Sequence, residues 1–322
     1  MRFPKGRSNL QNAKLEFVHL DNILADNKKE RASKISGYLE IIYPDMVQLL
    51  YLKKGEPVNA GQFSRTERRQ IAIGEVIEKA KKSTTGTVSI YETPDELVDM
   101  MLATFTVKPV FKNLDLSNVT PDKLFEKLTA VKFDGFLEIK RGVDVSFVRF
   151  KEGAPASGYF TWKVDGIAPD VLKAALKAAA TAPGAVIVDA YDKLPVQAEQ
   201  ASPAQIELFV KAMNKLMAEL KNIAGPTLVS KTIASSKEAA AVHYEFLKEF
   251  QVGDEIKGEG KIVATPEELG KAFAEWMDNF VDSFRIVLGK RLDGIVQGAL
   301  KDFRFALKSS SFGRYSKLKD LL

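Results

Sequence analysis

Up to about residue 200 the apolar positions come in short, strand-length runs broken by glycine, proline and charge. Beyond it they recur every three or four residues, the spacing of amphipathic helices. Leu15, Val18, Ile23 and Leu24 fall at roughly helical spacing and predict a short helix over 10–26, with a charged connector at 27–31. A strand over 37–43 is followed by a Pro44-Asp45 turn and a return strand over 46–52. The Lys53-Lys-Gly-Glu turn offers Gly55 for positive φ, and a third strand covers 58–63. These three strands read as a meander with one covered face. A helix over 64–82, with Ile71, Val76, Ile77 and Ala80 inward, and a strand over 86–91 complete the set. Helix starts are written four times in one grammar, a hydroxyl residue before proline: Thr93-Pro94, Thr120-Pro121, Ser202-Pro203 and Thr265-Pro266. The hydroxyl can cap the helix and proline suits its first turn.

The strand-rich part says one phrase twice. Gly37 corresponds to Gly135, Glu40 to Glu138, Gly55 to Gly153 and Pro57 to Pro155, each pair 98 residues apart. The same spacing pairs Gly86 with Gly184. A constant offset of this kind is a tandem duplication. The second copy therefore predicts a helix from 121, a meander over 135–160, an alanine-rich helix over 169–180 and a strand over 185–189, before a looser connector at 192–201. From 203 the pattern is helical: 203–223, a stretch within 227–250, a long run over 266–307 and a short last helix, with a small hairpin or loop at 255–263. The fold class is α+β: two tandem repeats of a small antiparallel sheet with flanking helices, over 1–111 and 112–200, then a mostly helical C-terminal domain over 201–322.

The repeated phrase resembles the PATAN family, the domain found at the N-terminus of PatA-type bacterial response regulators. Its Gly-x-Leu-x-(Val/Ile) and Gly-x-(Ile/Pro)-x-x-Ala segments fall on Gly37, Leu39, Ile41, Gly55 and Ala60, and on Gly135, Leu137, Ile139, Gly153 and Ser157 or Gly158. The likeness covers about 35–91 and 133–189. It implies a protein-interaction module of bacterial signalling, tied to two-component systems and surface motility, with no catalytic residues to carry over. The chain departs from that architecture in carrying no receiver domain.

Composition narrows the chemistry further. Hydrophobic content of 45% and charged content of 28% are those of ordinary soluble protein. No cysteine is present, so disulfides, thiolate metal sites and cysteine nucleophiles are excluded. That composition fits a reducing cytoplasm, and neither a signal peptide nor a membrane-spanning apolar run is read in the sequence. The two histidines, His19 and His243, stand in no triad or metal-ligand spacing, and His243 reads as a helix-face or core residue. No phosphate-binding glycine loop follows a strand, and Gly253-Asp-Glu-Ile-Lys-Gly lacks the spaced ligands of a calcium loop. Glu40 and Glu138 could in principle act as acid and base, but mid-strand alternation points them toward solvent. The expectation is no catalytic residue, no metal site, no cofactor and no small-molecule substrate.

One stretch suggests contact with a partner. Val281, Phe284, Leu288, Leu292, Ile295, Ala299 and Phe303 form an apolar stripe along a helix over 281–307, widened by Val287, Val296, Leu300 and Leu307. Gly294 and Gly298 leave a notch for close helix approach, while Arg291 and Arg304 belong to a basic flank that outnumbers the acids around it. Net charge is +5. Phe284, Leu288, Arg291, Leu292, Gly294, Ile295, Gly298 and Arg304 are thus the candidate partner-binding residues of a cytoplasmic signalling adaptor or scaffold. Its partners would be proteins, with a homodimer possible through this helix. The rival reading is a nucleic-acid or anionic-membrane binder using the basic tail. An enzyme with an unrecognised site is a third.

Overall fold

The computed structural model describes every residue except 30–35, 65–66, 164–165, 182–183, 193, 195–198 and 259. Ile35, and parts of the predicted segments 27–31, 64–82 and 192–201, lie outside the described residues. The chain is α+β. The first copy runs β1 (Arg7–Lys14), α1 (Leu20–Lys29), β2 (Gly37–Ile42), β3 (Val47–Lys53), β4 (Glu56–Phe63), β5 (Arg68–Ile71), α2 (Ile73–Lys82) and β6 (Thr87–Glu92). After α3 (Asp95–Thr106) the second runs β7 (Phe111–Asp115), α4 (Pro121–Ala130), β8 (Gly135–Arg141), β9 (Asp144–Lys151), β10 (Ala154–Tyr159), α5 (Pro169–Thr181) and β11 (Val186–Tyr191). Strand order is β1-β6-β2-β3-β4-β5 in one sheet and β7-β11-β8-β9-β10 in the other. The copies therefore share one topology, with β5 as an extra edge strand in the first.

Local chemistry explains much of this repeat. Each β3–β4-type hairpin turns on two residues of positive φ, Lys54 (51°) and Gly55 (79°), then Glu152 (48°) and Gly153 (83°). That is the type I′ geometry whose twist matches the flanking strands. Gly37 and Gly135 open equivalent strands because a Cβ there would overlap the carbonyl oxygen of Tyr91 or Tyr191 on the neighbouring strand. The last strands correct the sequence alignment. Leu39 faces Ile90 and Leu137 faces Ala190, so β6 and β11 correspond 100 residues apart, not 98. Gly86 and Gly184 are not equivalents, and the second copy carries two extra residues before its final strand.

Three predicted elements differ for physical reasons. Leu10 to Lys14 belong to β1, not to a helix. An irregularity in β1, where Asn12 has φ 51°, interrupts the alternation that would have marked the strand. Helix α1 extends to Lys29, through the start of the predicted connector. The helix expected from 64 begins only at Ile73, because Arg68 to Ile71 form β5.

The two copies are not separate domains. Residues Met1–Gln70 and Lys79–Ala198 form one compact unit. Its central core takes Tyr38, Leu49, Tyr51 and Tyr91 from the first sheet, Phe136, Phe147 and Tyr191 from the second, and Leu97 to Ala103 from α3. Phe136 and Tyr191 stack with ring centroids 4.7 Å apart. A second core, with Leu128, Leu137, Phe150 and Leu172, lies between the second sheet and helices α4 and α5. The strands β2 and β3 are buried on both faces, which overturns the expectation of one solvated face.

The other unit comprises Ile71–Glu78 and Glu199–Leu322. It contains α6 (Pro203–Ala224), α7 (Pro226–Ala241), the hairpin β12 (Phe250–Val252) and β13 (Ile256–Gly258), then α8 (Pro266–Leu288), α9 (Arg291–Leu300), α10 (Arg304–Ser309) and α11 (Phe312–Tyr315). Ser202 with Gln205 and Thr265 with Glu268 form reciprocal capping boxes at α6 and α8. Thr120 caps α4 through its hydroxyl. Thr93 caps nothing, since Pro94 takes the N-cap position of α3. Trp276 fills the core and donates its indole N–H to the Ile233 carbonyl at 3.2 Å. The Asn214 side chain bonds both the N–H and the carbonyl of Ile256, at 2.7 and 2.9 Å, and so pins the hairpin to α6.

Candidate interaction surface of the C-terminal helices

The predicted helix over 281–307 is three helices. Gly289, with φ 54°, ends α8 and accommodates the left-handed step that stops a helix. The chain then restarts as α9 and again as α10. Each break turns the apolar stripe inward. Val281, Phe284, Leu292, Val296, Ala299, Leu300 and Leu307 are buried in the core of their own unit, with Leu288, Ile295 and Phe303 packed at its margin. Phe284 and Leu292 thus do not present themselves to a partner. Their side chains are occupied in the core of their own unit, among residues of α6, α7 and α8. Arg291, Gly294, Gly298 and Arg304 are exposed. A Cβ at Gly294 or Gly298 would meet no atom within 4 Å, so among the described residues no other helix enters the notch.

What remains outside the stripe is a different surface. Ile286 is 95% exposed and Phe305 86%, and Val287, expected to widen the stripe, is 68% exposed because it falls on the face of α8 turned from the core. Sequence periodicity left Ile286 and Phe305 out because they stand off the stripe. Their only signal was a large apolar residue in a basic setting. Lys290, Arg291, Lys301, Arg304 and Lys308 are exposed around these helices, and none has a carboxylate partner among the described residues. Arg285, in contrast, is held by Asp282 and Asp293 at 3.5 and 3.3 Å. Large apolar side chains left exposed in a stretch rich in exposed cations suit association more than stability.

The other candidates resolve as structure. Glu138 is fully buried, contrary to the expected solvated position. It faces the first sheet, where Arg68 of β5 binds it with both guanidinium nitrogens and Tyr191 donates its hydroxyl at 3.4 Å. Burial opposes the charge on Arg68, but the Glu138 carboxylate outweighs it and holds the guanidinium pKa above its ordinary value. Lys140 pairs with Asp189 nearby. Glu40 is also buried, and desolvation raises its carboxyl pKa, with Lys5 and the Met1 amine pulling against that shift. The two carboxylates lack a common pocket: Glu138 is neutralised by Arg68, whereas Glu40 is not. His243 is an exposed residue, 2.9 Å from Glu275. The glycine-rich 253–258 stretch forms the β12–β13 turn, and among the described residues no group of acidic or histidine side chains is arranged to hold a metal. No helix among them is long and apolar enough to cross a membrane.

Against family models, characterised proteins and solved structures the chain shows no match.

Proposed function

We propose that the chain is a non-catalytic adaptor of a cytoplasmic bacterial signalling pathway, and that it binds an acidic protein partner through the exposed ends of its C-terminal helices. One observation carries the reading: Ile286, Val287 and Phe305 are exposed in the same C-terminal stretch as Lys290, Arg291, Lys301, Arg304 and Lys308, five exposed cations with no carboxylate partner among the described residues. Apolar anchors with a charged rim are the anatomy of a protein interface, and the sign of the rim selects an acidic partner. The duplicated module supports the reading in a second way. Its buried carboxylates Glu138 and Asp189 are paired with the half-buried Arg68 and Lys140, as scaffold groups are. The resemblance of the repeat to PATAN domains points to the same class of role. A homodimer across the open face of α9 is compatible with it.

In-cell photo-crosslinking from position 287 should capture one acidic protein. Ile286→Asp with Phe305→Asp should abolish that product, and Val242→Asp, at another exposed apolar site, should leave it intact. A product unchanged in the double variant overturns the proposal. Co-sedimentation of the wild type with anionic vesicles, lost in the same double variant and without any protein product, would replace the protein partner with a membrane surface.

A further inference from the structure

Helix α3 opens without the cap its sequence offers. Pro94 sits at the N-cap with φ −58° and ψ 144°, and no side chain bonds the first turn. Thr93 stands one residue too early to serve. Its backbone N–H is satisfied by the Ser36 carbonyl at 2.9 Å. Its hydroxyl is not: the residue is 5% exposed and Oγ1 has no hydrogen-bond partner among the described residues. At Thr120 and Thr265 the same local grammar gives bonded hydroxyls, accepting at 3.4 and 3.1 Å. A buried hydroxyl left alone is costly, and such groups are rare enough in native proteins to ask for an occupant.

Thr93 lies on the wall of a cleft of about 370 Å³ within the repeat unit. Lys5 and Arg7, before and at the start of β1, and Lys163, beyond β10, bring three cations to it. Glu92, the cross-strand partner of Arg7, is the one carboxylate among its described lining residues. Of the two first-turn acids of α3, Asp95 is not among the described lining residues, and Glu96 is engaged by the hydroxyls of Ser157 and Tyr159, from which it accepts. The cleft also borders the N-terminal turn of α3, a helix of 12 residues whose positive end adds to the same field.

We propose that this cleft binds a phosphate group, free or carried by a small molecule. The Thr93 hydroxyl donates to one phosphate oxygen, and Lys5, Arg7 and Lys163 supply the compensating charge. The cleft volume is in the range of small-ligand sites, so it can hold more than the bare ion. This site is independent of the C-terminal surface and of the adaptor role.

The test is titration of the full chain with inorganic phosphate at constant ionic strength, read by calorimetry and by the melting temperature, with glycerol 3-phosphate and acetate in parallel. Wild type should show saturable phosphate binding and a raised melting temperature, with acetate much weaker. Thr93→Val should melt higher than wild type without phosphate, because the lone hydroxyl is gone, yet bind phosphate at least ten-fold more weakly. Lys163→Gln, an exposed position, should weaken binding without unfolding the protein, which keeps the test open if Thr93→Val does not fold. Lys215→Gln on α6 is the control and should bind as wild type does. Tighter binding of glycerol 3-phosphate identifies a small phosphomonoester, and equal binding identifies the free ion. A wild type with no saturable response, or one whose response survives both Thr93→Val and Lys163→Gln, overturns the proposal.

Discussion

Asn113 donates its backbone N–H to the Asp189 carboxylate at 2.6 Å. Asn12 donates in the same way to the Ser89 hydroxyl at 3.0 Å. Both asparagines have positive φ, 58° and 51°, and both sit at register shifts in the first strand of their copy. Asparagine tolerates that conformation better than most residues. The duplication has therefore preserved an irregularity, its backbone strain and its side-chain acceptor, while the acceptor itself changed from hydroxyl to carboxylate. Asp189 additionally holds Lys140. Asp189→Ala strands the Asn113 amide and leaves Lys140 only the Glu138 carboxylate 3.6 Å away, and should destabilise the chain by about 1–3 kcal/mol. Ser89→Ala, which strands only the amide, should cost less. Urea unfolding of the two variants checks the order, and equal losses would remove the role assigned to Lys140.

The type I′ turns make a sharper comparison. Gly153 combines φ 83° with a crowded position, where a Cβ would lie 2.8 Å from Thr129 Cα. Gly142 has φ 57° but open space around it. Gly153→Ala should lose more than about 1 kcal/mol, and Gly142→Ala about 1 kcal/mol or less. Matching melting temperatures for the two variants would show that the Thr129 contact relaxes at no cost.

These turns were legible in the sequence because Lys54-Gly55 and Glu152-Gly153 each carry their conformation in a dipeptide. The sheets were legible for a similar reason, since short apolar runs between such turns admit few other pairings. β1 was not, because a bulge at Asn12 shifts the side-chain phase that reveals a strand. The burial of Glu138 was not either. Alternation places it opposite Leu137, but only the packing of one copy on the other decides that both faces are covered. At the C-terminus the stripe through Phe284 and Leu292 was visible and its destination was not, because Gly289 ends α8 and the chain restarts as α9 and α10. The exposed residues Ile286 and Phe305 have no periodic signature, since only side chains that pack into the core must recur at helical spacing.

The Arg68–Glu138 pair joins the two copies through a charge that cannot reach water. Arg68→Met leaves the carboxylate with Lys140, whose Nζ is 3.6 Å away, and should cost about 3 kcal/mol. Arg68→Met with Glu138→Leu should recover most of that loss, because a buried pair can be replaced by packed apolar side chains at little net cost. A double-mutant cycle measures the coupling. Additive losses would mean that the pair is no more than a surface bridge.

Glu40 predicts a pH dependence of opposite sense to ordinary acid denaturation. Burial raises its carboxyl pKa in the folded chain. The folded state therefore binds this proton more tightly than the unfolded state does. Stability from this residue is whole below the unfolded carboxylate pKa, falls as pH rises through the raised folded value, and stays reduced at neutral pH. Glu40→Gln should melt above wild type at pH 7, with the difference closing as pH drops into the ordinary carboxylate range. A difference that is constant with pH would assign the gain to packing instead.

The exposed glycines of α9 separate fold from association. Neither Gly294 nor Gly298 has a neighbour within 4 Å of where a Cβ would stand, and both lie inside a helix of 10 residues. Glycine there costs helix stability without serving any contact in the chain, so Gly294→Ala with Gly298→Ala should raise unfolding stability by about 1–2 kcal/mol in total. The same open face is where a second copy of the chain could bring a helix close. Gly294→Leu with Gly298→Leu should also fold, because nothing in the chain opposes the larger side chains. It should, however, dissociate in sedimentation equilibrium at concentrations where the wild type remains paired. A wild type that is monomeric at every concentration eliminates the dimer while leaving the stability gain to be judged alone. A loss of stability in the alanine variant would instead show that the glycines serve the fold of α9 itself.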